Sequence, residues 1–107
     1  IYFVLKSLKK YNKPIYITEN GLADAKDENR EWFIRGSLQN IYRAISEGID
    51  VRGYLYWSLL DNFEWDKGFW PRFGLVEIDY ETLERKRRPS SYVYEKIAKS
   101  NAETNEL

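Results

Sequence analysis

The sequence predicts an α/β protein built on parallel strands, and one that forms part of a larger α/β enzyme. Segments with helical apolar spacing alternate with short runs of β-formers in the order αβαβ, then a loop with a hairpin, then α. Strand, long helix, strand is a crossover unit, so its two strands should be parallel neighbours with a right-handed connection. A barrel of roughly 250 residues uses about 31 per βα unit. On that scale 107 residues hold the last helix of one unit and two complete units, and two parallel strands cannot close a barrel.

The elements follow in order. Ile1, Val4, Leu5, Leu8 and Tyr11 share one helical face, with Lys6, Lys9 and Lys10 on the other. Pro14 ends this helix, because the residue before proline is pushed out of the helical region. Ile15–Thr18 is a strand, bounded by Pro14 and Asn20-Gly21, and apolar enough for burial on both faces. In the polar stretch that follows, Asp24 and Asp27 are both candidate N-caps. The next helix runs from Glu28 to about Glu47 with Ile34, Leu38, Ile41 and Ile45 as its apolar stripe and Gly48 as its stop.

Val51–Ser58 reads as the second strand. The segment from Leu59 to Phe73 has neither helical nor strand periodicity and should be a long loop, expected to fold back over the strand ends. Leu75–Tyr80 is β-like, with a turn at Glu81–Leu83 and a partner run from Glu84 to Arg87. Pro89-Ser90-Ser91 starts the last helix, whose stripe is Val93, Tyr94 and Ile97. Residues 1–101 form the structured segment and residues 102–107 a polar tail. Lys86-Arg87-Arg88 reads as solvated surface or a helix-end contact.

Composition narrows the chemistry. Lys plus Arg number 17 and Asp plus Glu 17, a balance poorly suited to nucleic acid, whose binding rests on phosphate neutralisation. With no Cys and no His, thiolate and histidine metal sites and Ser-His-Asp chemistry are excluded. No apolar run approaches the roughly 18 residues of a membrane helix, and no signal pattern opens the chain, so the expected compartment is the cytoplasm. With no Met, the expectation is that the chain is a processed piece or a fragment. What remains is carboxylates, aromatics, Arg and Lys, a set that fits sugar chemistry. Eight aromatics fall between Tyr54 and Phe73, where they serve either as core or as a binding surface.

In parallel α/β folds functional groups gather at the carboxyl ends of strands. Glu19 ends the first strand; Trp57-Ser58 ends the second, followed by Asp61, Glu64 and Trp65. Parallel neighbours lie roughly 5 Å apart, so Glu19 and Trp57 should share one end of the sheet. A carboxylate at a strand end can also merely cap the segment that follows it. Phe69, Trp70 and Pro71 either line an entrance or pack the loop.

Three strings, Thr18-Glu19-Asn20-Gly21, Trp57-Ser58-Leu59-Leu60-Asp61-Asn62-Phe63-Glu64-Trp65 and Arg72-Phe73-Gly74-Leu75, resemble the C-terminal part of family 1 glycoside hydrolases. That group comprises β-glucosidases and β-galactosidases with a (β/α)8 barrel. The resemblance runs from about Lys13 to Asn101. It implies a fold that is the C-terminal portion of such a barrel, about its last two βα units.

The resemblance also implies roles. Glu19 matches the catalytic nucleophile, Trp57 the ring that carries the glycone, Glu64 the acid that binds outer hydroxyls, and Trp65 and Phe73 aromatics bordering the same pocket. A retaining glycosidase needs an ionised carboxylate to attack the anomeric carbon and a second carboxyl about 5–5.5 Å away as acid, then base. Sugar C–H faces stack on aromatic rings, and hydroxyls want charged acceptors. A carboxylate at Glu64 would repel a phosphate at the sugar's edge, favouring a neutral glycone.

The family's acid/base glutamate lies in an Asn-Glu-Pro motif, which does not occur among these residues, and neither does the histidine of the glycone site. The expectation is therefore a fragment that carries the nucleophile but turns nothing over alone. It needs no cofactor and takes a β-glycoside or oligosaccharide as substrate. Its open strand edges should pair with the remaining barrel segment or self-associate. The alternatives are a non-catalytic carbohydrate-binding module and a purely structural barrel piece.

Overall fold

A computed structural model describes residues 1–102; of the expected tail, residues 103–107 lie outside the described residues. The order is α1 (Tyr2–Leu8), a 3-10 turn (Lys9–Tyr11), β1 (Ile15–Ile17), α2 (Arg30–Ser46), β2 (Val51–Tyr54), a second 3-10 turn (Trp65–Lys67), β3 (Val76–Ile78), β4 (Arg85–Arg87) and α3 (Pro89–Ser100). β1 and β2 are parallel, pairing Ile15 with Val51, Tyr16 with Gly53 and Ile17 with Tyr54, with an irregularity after Ile15. β3 and β4 form a separate antiparallel hairpin. Among the described residues the architecture is a partial α/β piece with no closed barrel.

The helices cover one face of the parallel pair. Ile17 turns to that face and packs with Tyr2, Leu5, Ile41, Ala44 and Ile49. A second cluster, Ile34, Tyr56 and Leu75, lies under α2 and α3 with Phe33, Tyr94 and Ile97 against it. Leu38 and Tyr54 touch both clusters and join them. On the face opposite the helices, Tyr16 is 62% exposed among the described residues. Its ring lies against Gly53, where an added Cβ would come within 2.6 Å of it.

α1 also docks differently from its apolar spacing. The buried residues are Tyr2 and Leu5, while Ile1, Val4 and Tyr11 are exposed. The helix is turned by polar anchors at its ends. The Tyr2 hydroxyl donates to Glu47 (2.7 Å), the Arg43 guanidinium sits 4.1 Å from the Tyr2 ring centre, and Lys9 Nζ donates to the Glu47 carbonyl (2.7 Å).

The two candidate caps serve two different helices. Asp24 Oδ2 accepts the N–H groups of Asn29 (2.7 Å) and Arg30 (3.1 Å), satisfying the first turn of α2 from outside it. Burial pushes the Asp24 carboxyl up, but these bonds and nearby Arg30 outweigh it and hold its pKa below the ordinary value. Asp27 reaches across to α3, where it accepts the Ser90 N–H (2.8 Å) and hydroxyl (2.6 Å). Gly48, at φ 81°, ends α2 in the left-handed region open to glycine.

The Lys86-Arg87-Arg88 run divides. Arg87 makes the expected helix-end contact, donating to Glu95 (2.6 Å) and Ser91 (3.0 Å). Together with Lys99 it pulls the Glu95 carboxyl down to about 2, the Lys99 hydrogen bond being the larger cause. Arg88 departs from the surface reading: it is 4% exposed and paired with a buried acid described below.

Candidate active site

The carboxyl ends of β1 and β2 stay hydrogen-bonded beyond the strands themselves. Leu55 N–H donates to Ile17 O (2.8 Å) and Trp57 N–H donates to Asn20 O (3.0 Å). The Tyr54 hydroxyl, kept protonated by burial that pushes its pKa up, donates to Asn20 Oδ1 (3.0 Å). Glu19 is therefore held between two ladder bonds to the neighbouring strand, at the same end of the sheet as Trp57. Its carboxylate-bearing residue is exposed, and Trp57 is half-buried.

Gly21 explains the Asn-Gly step after Glu19. A Cβ there would lie 1.7 Å from the Trp57 carbonyl oxygen, so only glycine lets the two backbones approach this closely. The peptide between Trp57 and Ser58 is cis.

The long loop returns to the strand it leaves. Ser58 N–H donates to Phe73 O (3.2 Å), Leu75 N–H to Ser58 O (2.8 Å) and Val76 N–H to Leu59 O (2.9 Å). Half-buried Phe73 is thus fastened beside Trp57-Ser58. Glu64 and Trp65 ride on the loop's tip. Glu64 N–H donates to Gly68 O (2.7 Å), and Lys67 N–H donates to Glu64 O (2.9 Å). Glu64 is half-buried and Trp65 is 81% exposed. Phe69 packs, as one of its two readings had it: it meets Phe63 at 5.4 Å and Tyr80 at 4.9 Å, tying the tip to the hairpin. Pro71 is buried and Trp70 exposed.

Asp61, one of the acids following the second strand, anchors this loop. Its side chain is fully buried (0% exposed). Oδ1 accepts from Gly74 N–H (2.9 Å) and Arg88 Nη1 (2.9 Å). Oδ2 accepts from Arg88 Nη2 (3.1 Å), Arg72 Nη1 (3.1 Å) and Ile78 N–H (3.3 Å). Burial pushes the carboxyl up, and the Arg88 pairing and backbone donors overcome it, so its pKa lies below the ordinary value. The loop's start, its end, the hairpin and the start of α3 meet on this one carboxylate.

Backbone hydrogen bonds on either side of Glu19, at Trp57 and at Phe73 thus bring these three chain segments to the sheet's carboxyl end, with Glu64 and Trp65 on the loop that springs from it. Among the described residues, no group of three or more acidic side chains is arranged to hold a metal ion.

The profile of Glycosyl hydrolase family 1 matches residues 1–103. The β-galactosidase of Sulfolobus acidocaldarius is 46% identical over 104 residues, which cover 97% of this chain and 21% of the relative. β-Glucosidase A of Thermotoga maritima is 43% identical over 112 residues, covering 94% of this chain and 25% of the relative. The solved structure of the β-glycosidase from Pyrococcus horikoshii superposes with a TM-score of 0.95 at 54% identity, over 98% of this chain and 25% of that one. The chain thus spans about a fifth to a quarter of the length of the curated relatives it matches.

Proposed function

Since this chain belongs to glycosyl hydrolase family 1, we propose that it is the nucleophile-bearing portion of a retaining β-glycosidase acting on neutral β-linked sugars. The observation that carries the reading is the backbone ladder that holds Glu19 beside Trp57 at the carboxyl end of parallel strands. Glu19 attacks the anomeric carbon as the bond to the aglycone oxygen breaks, and a second carboxylic acid protonates that oxygen. Water then displaces the Glu19 ester, with the same second group acting as base. Trp57 offers its face to the sugar's C–H groups; Glu64 accepts from outer hydroxyls, with Trp65 and Phe73 bordering the pocket.

The second carboxyl comes from elsewhere in the barrel, because no Asn-Glu-Pro string occurs in these residues. The relatives' names span β-galactosidase and β-glucosidase, and Glu64 argues only against a phosphorylated glycone, so the proposal stops at a neutral sugar. The partner is the rest of the barrel, or a second copy when that is missing, since among the described residues β1 and β2 carry no third strand in their sheet.

Activity tests it. The 107-residue chain alone should release no aryl leaving group from an aryl β-glucoside above background. The same chain joined to, or mixed with, the remaining barrel should hydrolyse it. Turnover by the isolated chain would contradict the division of labour.

A further inference from the structure

Arg30 opens α2, yet its side chain is 0% exposed, and its guanidinium bonds to three separate segments. Nε–H donates to the Tyr56 hydroxyl (3.0 Å). Nη2 donates to Asp24 O (2.6 Å) and Arg72 O (2.8 Å), and Nη1 pairs with Asp27. The Tyr56 hydroxyl, besides accepting from Arg30, accepts Leu22 N–H (3.3 Å) and donates to Leu22 O (3.4 Å), which fills its hydrogen-bonding capacity.

These contacts bracket the candidate site. Leu22 lies three residues past Glu19, Tyr56 immediately precedes Trp57, and Arg72 immediately precedes Phe73. One rigid donor fork therefore sets the spacing of the three backbones that carry nucleophile, sugar platform and pocket wall. Asp27, held by Nη1, in turn accepts the Ser90 N–H and hydroxyl and ties α2 to α3, while the Nε and Nη2 donors serve only the segments around the site. We propose that Arg30, acting through Tyr56, is a positioning residue for the glycosidase site; the inference rests on the reading of Glu19 as nucleophile.

The test uses the complete barrel. Tyr56→Phe keeps the ring in its cluster with Ile34 and Leu75 but removes the hydroxyl. It should lower kcat for an aryl β-glucoside about tenfold, KM moving by less than about threefold, since small misplacements of a reacting group act on the chemical step. Arg30→Lys, which keeps a charge beside Asp27 but loses the fork, should show the same loss in kcat. Ser90→Ala, which weakens the α3 anchor, should lower the melting temperature and leave kcat within about twofold of wild type. If Tyr56→Phe and Arg30→Lys only lowered the melting temperature, as Ser90→Ala does, the positioning role would be overturned. Turnover that survived Glu19→Gln would overturn the site reading itself, and this inference with it.

Discussion

Glu19→Gln in the complete barrel is expected to lower kcat for an aryl β-glucoside by roughly 10⁴-fold or more, the scale on which loss of a hydrolase's nucleophile acts. That corresponds to about 5.5 kcal/mol of barrier at 1.36 kcal/mol per tenfold. The substitution exchanges one side-chain oxygen for an amide nitrogen of nearly the same size, so folding should be unaffected. Steady-state kinetics with a matched thermal melt checks both halves. Turnover at wild-type rates would remove Glu19 from the mechanism.

Asp61→Ala should be the most damaging single change to the fold. It strands Arg88, 4% exposed, and strips Gly74 and Ile78 of an acceptor. Breaking one side of a buried ion pair costs about 3–5 kcal/mol, readable as a shift in the urea midpoint of the assembled barrel. The same carboxylate sets a pH dependence. Because its folded pKa is depressed, its contribution is full above the unfolded carboxylate value of about 3.9 and is lost as pH falls through the lower folded value. Wild type should therefore lose stability on acidification below about pH 4 more steeply than Asp61→Asn does. Equal slopes would show that Asp61 is not the group responsible.

Local chemistry made much of this legible. The αβαβ order, the parallel pair and the hairpin follow from apolar periodicity and from Pro14, Gly48 and Pro89, each of which acts within a turn or two of itself. The three motifs pointed to the sheet's carboxyl end for the same reason, although the strands stop earlier than their β-forming runs: β1 ends at Ile17 and β2 at Tyr54, leaving Glu19 and Trp57 two and three residues beyond them. Asp61 and Arg88 could not be paired in advance, because 27 positions separate them and each looks ordinary in its own window. Arg88, in a basic run beside Pro89, reads as surface, and only the returning loop buries it. Arg30 did leave a trace. A cation in a helix's first turn is disfavoured by the helix dipole, so its presence there called for a tertiary partner, which Tyr56 and Asp27 supply. The face of β1 bearing Tyr16 is uncovered among the described residues, and apolarity alone does not say what lies opposite.

The most direct measurement of the central claim is covalent trapping. A 2-deoxy-2-fluoro-β-glucoside with a good leaving group slows the hydrolysis of a glycosyl-enzyme more than its formation, so the ester accumulates on the nucleophile. After incubation with the complete barrel, trypsin should release a peptide of residues 11–26 intact, since Lys13 is followed by Pro14 and is not cut. Mass spectrometry should find the added sugar on that peptide, at Glu19. A label on Glu64, or on a carboxylate outside these 107 residues, would contradict the account.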